Sequence, residues 1–136
     1  MKTVKIYRSI LLNEGEEINA ENLGCSWTLC EIFAEDHAKD INGHFGKDGF
    51  VILSTEVDED QIDWSNTLFA MEERDHEFEV VISGDIVAEV EYSTVESIGS
   101  GLKLKGNSGQ NNFEDYCDNY DGEVTKDDFF ELASEF

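Results

Sequence analysis

The chain has 136 residues, 40% of them hydrophobic and 11% aromatic, which is enough apolar material for one domain with a real core. Its 32 acidic and nine basic residues give a net charge of −23. A field of that sign repels nucleic acid and anionic membranes, so direct binding to either is not expected, whereas a protein partner with a basic surface is favoured.

Cysteine usage and the N-terminal residues bear on the compartment. Cys25, Cys30 and Cys117 are an odd number and lack metal-ligand spacing, so reduced thiols in the cytoplasm are expected and no metal site is predicted. Two lysines precede apolar residues near the start, as in a signal peptide, but no small-residue cleavage site follows. No apolar run approaches the ~18 residues that a membrane span needs.

Hydrophobic periodicity predicts a strand-dominated α+β fold, with one or two helices against a sheet. Five segments have strand character, and a sixth short strand is expected at a sheet edge, where its lysines discourage further pairing. The five are Val4–Leu12, Cys25–Thr28, Phe50–Val57, Glu77–Ile82 and Ile86–Tyr92, and the edge strand lies within Leu102–Lys105. A Gly-Asp turn between the last two of the five predicts that they form a hairpin.

One helix, and a second segment that is either helix or loop, are predicted within the first 75 residues. Thr28 is a plausible N-cap with Glu31 three residues on, which is a capping-box pattern. The segment Ser65–Arg74 is predicted as either a short helix or an ordered loop. Between these two segments, Asn42–Gly49 is rich in glycine and is predicted to be a flexible loop.

The chain is divided at residue 105. Residues 1–105 form the predicted core, and residues 106–136 form an acidic C-terminal segment. From residue 107 onwards this segment holds nine acids against one lysine, and it is predicted to end in a helix that carries Phe129 and Phe130. A glycine- and serine-rich stretch separates the two parts and indicates a linker.

Part of the acidic segment resembles half of an EF-hand calcium loop. Asn119, Asp121 and Thr125 fall at ligand positions of such a loop. However, Cys117 replaces the first aspartate, and Asp128 replaces the bidentate glutamate. An acidic turn before the terminal helix is therefore favoured over a calcium site.

Arg8 stands among apolar residues of the first strand, although the chain has only two arginines, Arg8 and Arg74. A half-buried guanidinium needs an anionic or acceptor partner, which can be a carboxylate of the protein or a phosphate of a ligand. Glu77 and Glu79 would project from one face of a later strand, about 6.5–7 Å apart along it. Carboxylates so close disturb each other's titration, but in so acidic a chain an exposed strand face gives the same pattern.

Three fragments in chain order resemble motifs of the ADP-ribosyltransferase superfamily: Tyr7-Arg8-Ser9, Ser26-Trp27-Thr28 and His76-Glu77-Phe78-Glu79. The set is similar to the Arg, Ser-Thr-Ser and Glu-x-Glu motifs of its toxin-like and phage-encoded branch. The resemblance runs from about Val4 to Tyr92 and implies that family's split sheet. Trp27 and Thr28 depart from the Ser-Thr-Ser pattern.

The resemblance implies a mono-ADP-ribosyltransferase that uses NAD as its substrate and modifies a protein target. Arg8 would bind the phosphate and ribose side of NAD, a task suited to a planar fork of donors. Ser26 would hydrogen-bond within the cleft and steady the catalytic carboxylate. Thr28 would stabilise the strand-to-helix turn, and Trp27 could offer a ring face near the nicotinamide.

The resemblance also assigns the acids and a target-binding segment. Glu79 would be the catalytic acid, which stabilises the positive charge that develops as nicotinamide departs, and Glu77 would orient the acceptor. An alternative register takes Asp75 and Glu77 as the acid pair. The loop that meets the protein target would run from Trp64 to His76, with Phe69 as an aromatic contact and Asp75 and His76 at its end.

A function of a different class competes with the enzyme. A catalytically inactive acidic module could mimic nucleic acid and inhibit a DNA- or RNA-binding protein. Such an inhibitor would bind its basic partner in a strongly salt-dependent way, and no single pair of surface acids would dominate. The sequence leaves open whether an active enzyme transfers ADP-ribose or hydrolyses NAD, which protein it modifies, and its oligomeric state.

Overall fold

One six-stranded antiparallel sheet organises the residues that the computed structural model describes, which are 3–24, 26–45, 47–73, 79–108 and 122–133. The strands are β1 (Thr3–Leu12), β2 (Ser26–Thr28), β3 (Gly49–Asp58), β4 (Glu79–Val81), β5 (Asp85–Ser93) and β6 (Lys103–Asn107). The helices are α1 (Glu31–Phe45), α2 (Trp64–Glu73) and α3 (Lys126–Ala133). The strand order is β4-β2-β1-β3-β5-β6. The α+β prediction is therefore confirmed.

β1 and β3 form the centre of the sheet because both are long and apolar. They pair over ten residues each, from Thr3 opposite Asp58 to Leu12 opposite Gly49. β3 is buried along most of its length, as a continuous apolar run predicts for a strand that is covered on both faces.

Two apolar layers lie on opposite faces of this centre. On one face, Ala34 and Ala38 of α1 pack against Ile52. On the other face, the main core includes Leu53 of the same strand and Phe129 of α3. The C-terminal helix therefore contributes to the same core as the sheet. Trp64 of α2 packs edge-to-face with both phenylalanines of α3, which joins the two helices.

Two segments outside the named strands add further backbone pairing to the sheet. Leu23 donates its N–H to the carbonyl of Asn107 at 2.9 Å, and Gly24 donates to that of Ser108 at 3.1 Å. The residues that lead into β2 thus contact the end of β6, although three strands separate β2 from β6 in the sheet order. Beyond β4, Ile62 and Ile82 form a further antiparallel bridge.

The predicted hairpin between the fourth and fifth strands is wrong. β4 pairs with β2 at one edge, whereas β5 lies between β3 and β6. Gly84, with a φ of 88°, redirects the chain from one part of the sheet to the other. The turn signal is local, whereas the partner of β4 is selected by burial, because Val80 lies opposite Trp27 in the main core.

The start and the end of α1 also differ from the prediction. The helix begins at Glu31, and Thr28 is the last residue of β2 rather than the N-cap. The Thr28 hydroxyl instead accepts a hydrogen bond from the Cys30 N–H at 3.3 Å. The loop predicted from Asn42 is helical up to Phe45.

The remaining elements follow the sequence. The segment after Asp63 is a helix, which resolves the helix-or-loop alternative, and β6 is the expected edge strand. Two reciprocal hydrogen bonds cap the start of α3. The Thr125 N–H donates to the Asp128 carboxylate at 2.9 Å, and the Asp128 N–H donates to the Thr125 hydroxyl at 3.2 Å. Cys117, Asn119 and Asp121 lie outside the described residues, so the calcium alternative stays untested. Among the described helices, none is long and apolar enough to cross a membrane.

Candidate active site

A cleft of about 1070 Å³ opens between α1 and the neighbouring strands β1, β2 and β4. It is lined by residues 7–11 of β1, by the three residues of β2, by Glu79 at the start of β4, and by one side of α1. Clefts that hold small molecules and cofactors typically measure roughly 300–1,000 Å³. This cleft therefore has the capacity for a ligand as large as a dinucleotide.

Ser26 and Glu79 meet on one face of adjacent strands. The register places Thr28 opposite Glu79 and Ser26 opposite Val81, so the side chains of Ser26, Thr28 and Glu79 project to the same side. The Ser26 hydroxyl donates to Oε1 of Glu79 at 2.7 Å. This contact, which the family resemblance implies for the serine, fixes the direction of the carboxylate.

Arg8 is linked to the same serine through the backbone. Its Nη1 donates to the Ser26 carbonyl at 2.6 Å, a short bond of the kind that a charged donor makes. The guanidinium also lies directly against the backbone of Gly24, so closely that a Cβ at position 24 would overlap it. Arg8, Ser26 and Glu79 thus form one chain of contacts. Arg8, which lies opposite Leu53 on the main-core side of β1, reaches the Ser26 carbonyl, and Glu79 accepts from the Ser26 hydroxyl on the cleft side.

The side chain of Trp27 does not face the cleft. It is only 2% exposed and packs in the main core, on the side of β2 opposite Ser26 and Thr28. Its indole N–H donates to the Gly24 carbonyl at 2.8 Å. The expectation that this ring offers a face to nicotinamide is therefore wrong, because alternation along the strand turns the ring inward.

The other predicted site residues divide into two groups. Thr28 binds the Cys30 N–H at the turn between β2 and α1, which is where the prediction placed it. Phe69 lies half-buried on α2 and is not among the described residues that line the cleft. Asp75, His76 and Glu77 fall outside the described residues, so the second acid and the alternative register stay predictions.

The α1 side of the cleft was not anticipated. Phe33, Asp36, His37 and Asp40 line it from one side of the helix. They stand at positions i, i+3, i+4 and i+7, a spacing that brings side chains onto one helical face. The signal that could have located this wall is the polar stripe that accompanies Phe33.

The described lining carries more negative than positive side chains. Lys39 forms a salt bridge with Glu35 at 2.7 Å. This contact raises the pKa of Lys39 and lowers that of Glu35. The other cation among the described lining residues is Arg8.

The geometry combines a cation and a carboxylate that are joined through one serine at the wall of an open cleft. A planar guanidinium is suited to phosphate groups. A carboxylate that is held in a fixed direction is suited to stabilising positive charge as it develops on a bound molecule.

No protein-family model matches the chain, and no curated protein or solved structure matches it either.

Proposed function

We propose that this protein is a mono-ADP-ribosyltransferase, which takes ADP-ribose from NAD and transfers it to a protein target. The observation that carries the proposal is the linkage of Arg8 and Glu79 through Ser26, at 2.6 and 2.7 Å, in a cleft with the capacity for a dinucleotide. These are the residues at which the three sequence motifs resemble the superfamily. The order of the motifs along the chain and the contacts of Ser26 with Arg8 and Glu79 are independent observations.

The donor set of the cleft fits NAD. The dinucleotide is anionic at its pyrophosphate, and Arg8 provides a planar donor group for it. The bond that breaks joins nicotinamide to a ribose, and positive charge develops on the ribose as neutral nicotinamide leaves. Glu79 provides a carboxylate for that charge, held in direction by the Ser26 hydroxyl.

The transfer balances without any further reactant. A nucleophilic side chain of the target forms the new bond to the ribose carbon and loses a proton to solvent. Glu77, which lies outside the described residues, would orient that side chain as the resemblance implies. If water replaces the target side chain, the same site hydrolyses NAD. The expected target has a basic surface, since a protein with a net charge of −23 attracts such a surface, and we place the reaction in the cytoplasm.

The test is nicotinamide release and transfer of label from NAD to protein, in cell lysates with added purified enzyme. We expect Glu79→Gln to reduce both by about 10²–10³-fold, the usual cost of removing one electrostatic contact to a transition state. Glu77→Gln, assayed alongside, distinguishes the catalytic acid from the acceptor-orienting acid.

The chain contains a matched control for this variant. Glu91 is also a half-buried strand glutamate whose carboxylate accepts a hydrogen bond from a serine, Ser54, but it lies outside the described lining of the cleft. Glu91→Gln should therefore leave both activities near the wild-type level. Equal activities in Glu79→Gln and Glu91→Gln would refute the role of Glu79.

The same assay addresses the competing inhibitor function. A wild-type protein that releases no nicotinamide and labels no protein, yet binds a DNA- or RNA-binding protein in a salt-dependent way, would overturn the transferase in favour of a nucleic-acid mimic. In that case the Glu79→Gln and Glu91→Gln variants should lose equally little affinity, because each removes one negative charge among many.

A further inference from the structure

We propose that Gly24 is a positioning residue, which holds the Arg8 guanidinium against the Ser26 carbonyl beside the cleft and thereby sets the affinity for NAD. The link to NAD rests on the proposed function. The structural part of the proposal does not, because it concerns the contact between Gly24 and Arg8. We call Gly24, the Ser26 carbonyl and Trp27 the arginine seat.

Gly24 is suited to this role by its conformation and by the space around it. Its φ of 99° lies in the left-handed region that favours glycine. A Cβ at this position would overlap Nε and Cζ of Arg8. The missing side chain therefore leaves the space in which the guanidinium lies flat against the backbone.

The backbone of Gly24 is held from two directions. Its N–H donates to the Ser108 carbonyl at 3.1 Å, and its carbonyl accepts the Trp27 indole N–H at 2.8 Å. Ser108 and Trp27 are 0% and 2% exposed. Because both partners are buried, a Cβ added at position 24 must move the guanidinium rather than the backbone beneath it.

A displaced guanidinium loses its 2.6 Å bond to the Ser26 carbonyl and its place against the backbone of Gly24. The contact between the Ser26 hydroxyl and Glu79 uses a different atom and remains. Gly24→Ala should therefore raise the KM for NAD by about 10–100-fold, the effect expected when the guanidinium no longer makes its charged hydrogen bond to the pyrophosphate. The kcat of nicotinamide release should change much less.

Two other glycines serve as controls for backbone strain. Gly15 and Gly84 have φ values of 84° and 88°, and a Cβ at either one would meet nothing within 4 Å. Gly15→Ala and Gly84→Ala thus introduce the same left-handed alanine without the contact with Arg8. Their KM for NAD should stay at the wild-type value, and an equal rise in all three variants would overturn the proposal.

A second measurement decides the contact without NAD. The thermal stability of Gly24→Ala is compared in the wild-type chain and in an Arg8→Ala chain. If the guanidinium occupies the space of the new Cβ, the substitution should lower Tm far less when Arg8 is absent. A Gly24→Ala chain that fails to fold, but folds when combined with Arg8→Ala, gives the same support. Equal losses in both backgrounds, or no folding in either, would refute the arginine seat.

The two measurements separate this proposal from the function. A wild-type protein that neither binds nor consumes NAD would overturn the proposed function, while the stability comparison would still decide the seat. Conversely, coupled stabilities with an unchanged KM would overturn the part of the proposal that links the seat to NAD.

Discussion

Ser26 contributes two oxygens to the site, and each has a different partner. Its carbonyl accepts from Arg8 and its hydroxyl donates to Glu79. Any residue at this position would provide the backbone carbonyl, whereas only serine or threonine would provide the side-chain hydroxyl. The sequence could therefore indicate the hydroxyl but not the bond to arginine, which depends on the register of β2 against β1.

The contrast between Trp27 and Gly24 shows what sequence reasoning misses at the residue scale. The family resemblance implies an indole face near the nicotinamide, but alternation along β2 turns the ring into the core. Gly24 carries no motif that marks it in the sequence. Its contact with Arg8 depends on a positive φ and on a residue in another strand, and neither of these is visible in a local pattern.

Tyr92 is a residue whose ionisation should report the packing of α1. Burial raises the pKa of its hydroxyl above the ordinary value of 10, and the neighbouring Glu35 carboxylate adds to the shift. The folded state therefore holds this proton more tightly than the unfolded state. The linked stability is fully present below pH 10 and is lost as the pH rises above that value.

An alkaline titration tests this expectation through the absorbance of the tyrosine phenolates. Tyr92→Phe should remove a late-titrating phenol and should flatten the fall in unfolding free energy above pH 10. Glu35→Gln should move the late phenol to lower pH, because the nearby negative charge is gone. A titration curve that Tyr92→Phe leaves unchanged above pH 10 would contradict the assignment.

At the scale of elements, a threonine side chain completes the hydrogen bonding of a strand. Thr67 of α2 is fully buried, and its hydroxyl accepts from the Val81 N–H at 3.0 Å. It thus attaches α2 to the outer side of β4, two residues from Glu79. Thr94 performs the same task for β3, where it accepts from the Phe50 N–H at 2.8 Å.

Thr67→Val keeps the shape of the side chain but leaves the Val81 N–H buried without this acceptor. We expect a loss of about 1–3 kcal/mol in the free energy of unfolding, which is the usual cost of an unsatisfied buried donor. Thr67→Ser keeps the hydroxyl and should lose less, since it removes one methyl group, worth about 1 kcal/mol. Denaturant unfolding measures both variants, and equal losses would contradict the role of the hydroxyl.

The strands were predicted more completely than their pairing. β1, β3 and β5 have clear apolar patterns, and their observed bounds match the predicted segments within one residue at each end. Their neighbours could not be predicted, because turn residues describe local geometry alone. The pairing of β4 with β2 brings Glu79 to Ser26. The geometry of the site therefore depends on strand pairing, which the sequence did not predict.

At the scale of the whole molecule, the net charge of −23 opposes the compact state through self-repulsion. Salt screens such repulsion over a length that shortens to about 10 Å at 0.1 M. We therefore expect Tm to rise steadily as sodium chloride is added from low concentration to about that value. Thermal unfolding followed by circular dichroism measures the rise.

The choice of salt provides the control for this prediction. Choline chloride at the same ionic strength should raise Tm by the same amount, because screening depends on charge and concentration alone. A Tm that does not respond to either salt would contradict the repulsion argument. A rise with sodium chloride alone would indicate that a bound cation, rather than screening, stabilises the fold.

The pairing of Leu23 and Gly24 with residues 107 and 108 has a consequence for how the site is assembled. Contacts between distant parts of a chain form slowly, because a long loop must close before they stabilise anything. β1, which carries Arg8, can pair with β3 early. The backbone of Gly24, against which the guanidinium lies, forms its hydrogen bond to Ser108 only after β6 has joined the sheet. We therefore expect Gly24 to reach its final position late in folding, although it is synthesised early, so that the contact with Arg8 is completed last.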